Sequence, residues 1–167
     1  MNSFRICITG GSGFIGTTAM QWAIDQSFEV VNFDILPPKI LGHQPFWKYV
    51  DIRKNDQFTS ALKAFRPTHI WHLAAMTGMD IHDMSFFDAN TIGVQNLLKA
   101  ATILPNLKRI QFTSSLLVCR NGYLPQTDTE YCPPNLYGES KVIGEKKFRE
   151  SQLSCDWVIV RPTSIWG

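Results

Sequence analysis

An octapeptide near the N-terminus, Thr9-Gly10-Gly11-Ser12-Gly13-Phe14-Ile15-Gly16, sets the tightest limit on what this chain can become. An apolar run, Phe4–Thr9, leads into it and reads as a buried strand. Phe14–Gln26 leads out of it and reads as a helix, with Ile15, Ala19, Trp22, Ala23 and Ile24 available for its inner face. Gly11, Gly13 and Gly16 satisfy G-x-G-x-x-G, while Gly10, Gly13 and Gly16 satisfy G-x-x-G-x-x-G. Glycine at these positions permits a tight turn and lets the backbone approach a pyrophosphate. The helix behind then offers unpaired N–H groups and the positive end of its dipole.

The rest of the chain repeats the alternation. Glu29–Asp34 reads as a second strand and Phe46–Ile52 as a short third. Asn55–Phe65 reads as a helix with Asn55 as its N-cap and Phe58, Ala61, Leu62 and Phe65 on one stripe. Thr68–Ala75 is a strand running into a small-residue turn, Phe86–Ala101 a helix, and Lys108–Ser114 a strand. A Pro-rich polar loop, Gly122–Asn135, precedes a helix over about Tyr137–Ser151 and a last strand, Trp157–Arg161. Strands alternating with helices of this length make parallel βαβ units. The expected fold is α/β: a doubly wound parallel sheet of six strands with its binding residues at the carboxyl edge.

Asp34 closes the second strand 18 residues past Gly16. A carboxylate there accepts both ribose hydroxyls of an adenosine and repels a 2′-phosphate. Ile35 and Leu36 supply no cation for such a phosphate, which favours NAD over NADP. Further on, Tyr137 and Lys141 stand four apart at a helix start, on one face. A nearby ammonium favours phenolate, so the tyrosine can serve as a base below its ordinary pKa of ~10. Ser115 ends the strand before them, where a hydroxyl can hydrogen-bond a substrate oxygen.

Composition excludes several classes. The 16 basic and 14 acidic residues leave a net charge of +2, too small to argue for nucleic acid or an anionic membrane surface. No apolar run approaches the ~20 residues of a membrane span, and Met1–Ile6 carries no signal-peptide pattern. Cys7, Cys119, Cys132 and Cys155 are separated by 112, 13 and 23 residues with no C-x-x-C, as expected of reduced thiols in a cytoplasmic chain. His69 and His72 fall on opposite faces of a strand, so no metal site is expected there.

These residues together resemble the extended short-chain dehydrogenase/reductase family, in particular its NAD-dependent epimerase/dehydratase branch acting on nucleotide sugars. Thr9–Gly16 looks like the family's fingerprint, Asp34 its ribose-binding acid, Asp51-Ile52 its adenine-contacting pair, and His72-Leu73-Ala74-Ala75 its turn along the cofactor. Asn90, Gly93 and Asn96-Leu97-Leu98 are similar to the N-x-x-G-x-x-N-L-L helix, whose asparagine supports the active site. Ser115, Tyr137 and Lys141 align with the catalytic triad, and Arg161-Pro162 with the R-P beside the nicotinamide. The resemblance implies NAD contacts at Gly10, Gly13, Phe14, Ile15 and Gly16, at Asp34, Asp51 and Ile52, and at Leu73, Ala74, Ala75 and Thr77. Others follow at Asn90, Thr113, Tyr137, Lys141 and Pro162.

Departures from the pattern narrow the chemistry. Leu116-Leu117 stands where sugar 4,6-dehydratases carry Asp-Glu and where decarboxylases carry Glu at the second position, and leucine moves no proton. Val118-Cys119-Arg120 replaces the usual Val-Tyr-Gly. Epimerisation, of the 4-epimerase-like kind, or simple oxidoreduction remains. A nucleotide-sugar substrate is implied, and a homodimer through the helices at 86–101 and 137–151. Leu97, Leu98, Val142, Ile143 and Phe148 suit that interface, though a buried monomer face would read the same. Relatives continue beyond the position of Gly167 into a smaller substrate domain. The 167 residues are therefore expected to hold the NAD-binding Rossmann domain, 1–167, with that second domain largely absent. A dinucleotide-binding module with no activity of its own is the third reading.

Overall fold

A computed structural model describes residues 4–166; Met1–Ser3 and Gly167, the ends of the expected domain, lie outside the described residues. The apolar runs form strands β1 (Arg5–Thr9), β2 (Glu29–Asp34), β3 (Trp47–Tyr49), β4 (His69–His72), β5 (Arg109–Thr113) and β6 (Asp156–Val160). Between them lie helices α1 (Phe14–Asp25), α2 (Asn55–Phe65), α3 (Asp88–Ala101) and α4 (Leu136–Glu150). The strands pair in parallel in the order β3-β2-β1-β4-β5-β6. The expected doubly wound Rossmann sheet is therefore present.

Alternation along β1 divides the core. Ile6 and Ile8 pack with Met20 and Ala23 of α1 and with Val30. Cys7 points the other way, into a larger cluster with Phe33, Phe58, Ile70, Leu97, Ile110, Phe112 and Phe148, where α2, α3 and α4 lie. Phe112 and Phe148 stack with centroids 4.8 Å apart. Burying each such side chain contributes roughly 1.5–3 kcal/mol. The chain leaves β1 toward α1 on one face and β4 toward α3 on the other. This makes a topological switch point at the carboxyl ends of those neighbouring strands, where ligands bind in open α/β sheets. On the α1 side, Val158 and Val160 of β6 stay 43% and 39% exposed.

Several local expectations need correction. The third strand shrinks to Trp47–Tyr49, because residues 50–54 turn about Asp51, which accepts from the Arg53 N–H. Lys54 rather than Asn55 caps α2, and Asn55 is the first helical residue. Phe86 and Phe87 belong to a 3₁₀ turn, Met84–Phe87, whose cap Asp83 accepts from the Ser85 N–H. On α1, Gly16, Met20 and Ala23 are the buried residues. Trp22 instead lies 48% exposed, its ring 5.6 Å from those of Phe28 and Trp71. Leu97, Val142 and Phe148, read as compatible with a dimer face, are buried inside the monomer; Leu98 and Ile143 stay half-buried. His69 and His72 do occupy opposite sheet faces: His72 bonds Thr9 Oγ1 in the interior, and His69 packs beside Phe4.

Candidate active site

The glycine loop is shaped by contacts no side chain could tolerate. Gly10 adopts φ +75°, and a Cβ there would lie 2.6 Å from the Ala74 amide nitrogen. A Cβ on Gly16 would lie 2.0 Å from the Gly10 carbonyl oxygen. The loop is thus clamped between α1 and the turn after β4, with Leu73 N–H donating to the Thr9 carbonyl at 3.0 Å. At Gly13, the N-cap of α1, a Cβ would meet only the Gly10 carbonyl, at 3.2 Å. Among the described residues no side chain caps α1, so its first N–H groups are left for a ligand.

Two clefts flank this loop. The first, ≈ 240 Å³, is lined by Gly10, Ser12, Gly13, Asp34, Asp51, Ile52, Leu73, Ala74 and Ala75 among others. Asp34 stands at its edge, its carboxylate accepting from the Ser12 and Leu36 N–H groups at 3.0 and 2.9 Å. Asp51 is buried and paired with Arg53 at 2.8 Å, whose hydrogen bonds hold its carboxyl below the usual range against the cost of burial. The second cleft, ≈ 440 Å³, is lined by Gly10, Gly13, Phe14, Ile15, Gly16, Leu73, Ala75, Thr77, Thr113, Ser115, Tyr137, Lys141 and Pro162 among others. Gly10, Gly13, Leu73 and Ala75 line both, so the two are halves of one groove across the sheet's carboxyl edge.

Every sequence-predicted site residue borders this groove except Asn90. Asn90 is buried behind it, where its side chain accepts from Met76 N–H and donates to the Met76 carbonyl and Ser140 Oγ at 2.8–2.9 Å. It therefore ties the turn after β4 to α4. One turn along α3, Gly93 leaves room for Ile52, and Asn96 donates to the carbonyls of Ile52 and Arg53 at 2.9 and 3.0 Å. The family-like asparagine helix thus braces both ends of the groove from below.

Ser115, Tyr137 and Lys141 meet through two short elements. Ser115 caps a 3₁₀ turn, Leu116–Val118, by accepting the Leu117 N–H at 3.1 Å. Asn135 caps α4 by accepting the Gly138 N–H at 2.9 Å. Gly138 lies so close to that 3₁₀ turn that a Cβ would stand 2.1 Å from the Leu117 carbonyl oxygen. The helix start bearing Tyr137 is thereby seated on the turn bearing Ser115. Burial pushes the Tyr137 phenol above its ordinary pKa, and the Ser115 hydroxyl pulls it the other way.

Lys141 departs from expectation. Its ammonium donates to the Thr113 carbonyl at 2.9 Å and lies 5.9 Å from the Tyr137 ring centroid, so it is engaged below the phenol rather than aimed at the hydroxyl. Burial lowers the Lys141 pKa to about 8. His72 beside it is pushed down to about 3 by burial and then by that ammonium, and is neutral. Beneath the triad, buried Glu145 accepts from Ser114 at 2.6 Å, from Tyr131 at 3.0 Å, and from Nε and Nη2 along one edge of the Arg161 guanidinium at 2.8 and 2.6 Å. Burial raises the Glu145 carboxyl, but the bonds from Arg161 and Ser114 outweigh it and hold it below the ordinary range.

The model of the NAD dependent epimerase/dehydratase family matches residues 6–167. The chain belongs to that family. It is 28% identical over 181 residues to the 3-beta-hydroxysteroid dehydrogenase of Mycolicibacterium neoaurum, covering 98% of this chain and 48% of that protein. It is likewise 28% identical to UDP-glucose 4-epimerase of Mycoplasma genitalium, covering 84% of this chain and 46% of the epimerase. The crystal structure of UDP-glucose 4-epimerase from Thermus thermophilus in complex with NAD matches with a TM-score of 0.81 at 25% identity. That match covers 95% of this chain and 54% of the epimerase. The chain spans about half the length of the curated relatives it matches.

NAD is the family's cofactor, and the cradle at Gly10 and Gly13, with Asp34 at its edge, fits a dinucleotide. Sequence reasoning missed Ser12, Leu36 and Arg53 on the Asp34 side, and Thr163 and Ile165 beside Pro162. Ser12 was discoverable, since it sits inside the glycine run. The others border the groove only because loops return there, and no local spacing announces them. Among the described residues no helix is long and apolar enough to cross a membrane.

Proposed function

We propose that the groove binds NAD and that Ser115, Tyr137 and Lys141 serve a nucleotide-sugar epimerase of the 4-epimerase-like kind. What supports this reading most is the meeting of the three side chains at one end of a groove whose other end holds Asp34. Bound there, NAD supplies the oxidising and reducing equivalents of a reversible alcohol–ketone interconversion. Tyr137 takes the proton of the sugar hydroxyl at its phenolate oxygen and later returns it. Ser115 fixes the reacting oxygen by a hydrogen bond. Lys141, still mostly ammonium at neutral pH, holds ribose hydroxyls, while the hydrogen bond from Ser115 is what favours the phenolate. Leu116 and Leu117 beside Ser115 move no proton, which disfavours elimination.

In the protein that carries this chain, Tyr137→Phe is expected to abolish turnover of the sugar nucleotide while NAD stays bound. Retained turnover overturns the role given to Tyr137. A second reading, a dehydrogenase that releases its altered cofactor, is favoured by the match to the hydroxysteroid enzyme over nearly the whole chain. Net accumulation of reduced nicotinamide during turnover supports that reading, and its absence supports epimerisation. Failure of the 167 residues alone to turn over substrate marks them as a binding module. Self-association through α3 and α4, with Leu98 and Ile143 on the open face, and a cytoplasmic setting complete the proposal. A monomer in sedimentation at high concentration overturns the dimer.

A further inference from the structure

The segment between Ser115 and Tyr137 is pinched at its base by an isolated parallel bridge in which Cys119 is the partner of Cys132. The Arg120 N–H donates to the Cys132 carbonyl at 2.7 Å, and the Cys132 N–H to the Val118 carbonyl at 3.0 Å. Bridge partners lie about 4.8 Å apart across a ladder. That falls inside the Cα separation of ~4.4–6.8 Å that a disulfide spans. Both thiols are free and partly exposed. Directly paired residues of neighbouring strands put their side chains on the same face, and on that face the Cys119 thiol donates to the Glu130 carbonyl at 3.5 Å. The other two cysteines are placed differently. Cys7 is wholly enclosed in β1, and burial raises the thiols of both Cys7 and Cys155.

We propose that Cys119 and Cys132 are a reversible redox pair, oxidised to an intramolecular disulfide by exchange with a small-molecule disulfide of the glutathione type. One protein thiolate attacks the small disulfide, forming a mixed disulfide and releasing one small thiolate, which takes up a proton. The second protein thiolate attacks the protein sulfur of that mixed bond and displaces the second small thiol. Two protein thiols are oxidised and one small disulfide is reduced to two thiols.

The bond would close the loop between residues 119 and 132, which carries Asp128 and Tyr131. Those residues meet Arg149, Arg161 and Glu145 beneath the triad. Only residues 116–118 separate the staple from Ser115, and only 133–136 separate it from Tyr137. Oxidation therefore locks the connection between two of the three proposed catalytic side chains. This inference stands on the loop geometry alone and is independent of which reaction the protein performs.

The test is to incubate the 167-residue chain with oxidised glutathione, block remaining thiols with N-ethylmaleimide in guanidinium chloride so that enclosed Cys7 is also reached, digest, and map the cysteines by mass spectrometry. The expected result is a cross-linked peptide pair joining Cys119 to Cys132, with Cys7 and Cys155 alkylated and the cross-link reversed by dithiothreitol. In Cys132→Ser, the mixed glutathione disulfide at Cys119 should persist, because nothing resolves it. Alkylation of all four thiols, glutathione retained on both Cys119 and Cys132 in the unsubstituted chain, or a cross-link involving Cys7 or Cys155 would each overturn the proposal.

Discussion

Gly138→Ala sets two well-known effects against each other. Gly138 lies in the first turn of α4, where replacing glycine by alanine contributes about 1 kcal/mol through helix propensity. The structure argues for the opposite sign. The new methyl would stand 2.1 Å from the Leu117 carbonyl oxygen and 3.1 Å from Pro133 Cβ. Ordinary contact therefore needs more than an ångström of movement between the helix start and the 3₁₀ turn. Neither neighbour yields easily: one is backbone, and the other is a proline ring. Overpacking costs roughly 1–3 kcal/mol, and a clash this deep with backbone belongs at the upper end, about 2–3 kcal/mol. Partial relaxation offsets little of it, because Asn135 also pins the Gly138 N–H. The net expectation is a destabilisation of ~1–2 kcal/mol, read from urea unfolding at constant slope. Ser115 and Tyr137 should also separate, so turnover should fall further than stability does. NAD affinity should change little, since Gly138 lies away from Asp34 and the glycine loop. Unchanged or increased stability would refute the claim that helix and turn are packed to the limit.

Other outcomes follow from the same geometry. Asn90→Ala removes three hydrogen bonds, one wholly and two partly buried, and strands Met76 and Ser140 groups, so urea unfolding should show a loss of ~2–4 kcal/mol. For Lys141 the sign is set by a pKa lowered to about 8 on folding from 10.5. Below about 8 the buried ammonium carries its full penalty, whereas between about 8 and 10.5 the unfolded chain holds the extra proton, so stability rises with pH. Unfolding free energies across that window should show a rise of up to ~3 kcal/mol that disappears in Lys141→Met.

Much of this was legible before any coordinates. The glycine run between a β-type and an α-type segment, with Asp34 a fixed distance on, locates the groove because turn geometry and helix termini are local properties. The six strands were legible for the same reason: short apolar runs bounded by turn residues carry their own period. What failed depended on contacts distant in sequence. Trp22 has the hydrophobicity of an inner-face residue, but Met20 and Ala23 take that position and Trp22 packs sideways on Phe28 and Trp71. Leu97, Val142 and Phe148 could equally serve a core or an interface until α3 and α4 were seen to turn them inward. The Lys141 ammonium was expected to act on the phenol. Its bond to the Thr113 carbonyl is fixed by where β5 ends beneath α4, which spacing does not report. The pairing of Cys119 with Cys132 arises from a loop doubling back, and their separation in sequence carries no sign of it.

The central claim, that Asp34 and the glycine cradle form a dinucleotide site with Tyr137 at its far end, is tested most directly by calorimetric titration of NAD⁺ into the chain and two variants. Saturable one-to-one binding is expected, weakened about tenfold or more in Asp34→Ala, as loss of hydrogen bonds to a carboxylate worth ~1.5–3 kcal/mol requires. Tyr137→Phe should bind NAD⁺ as the unsubstituted chain does. Absence of saturable binding, or equal affinity in Asp34→Ala, would contradict the account.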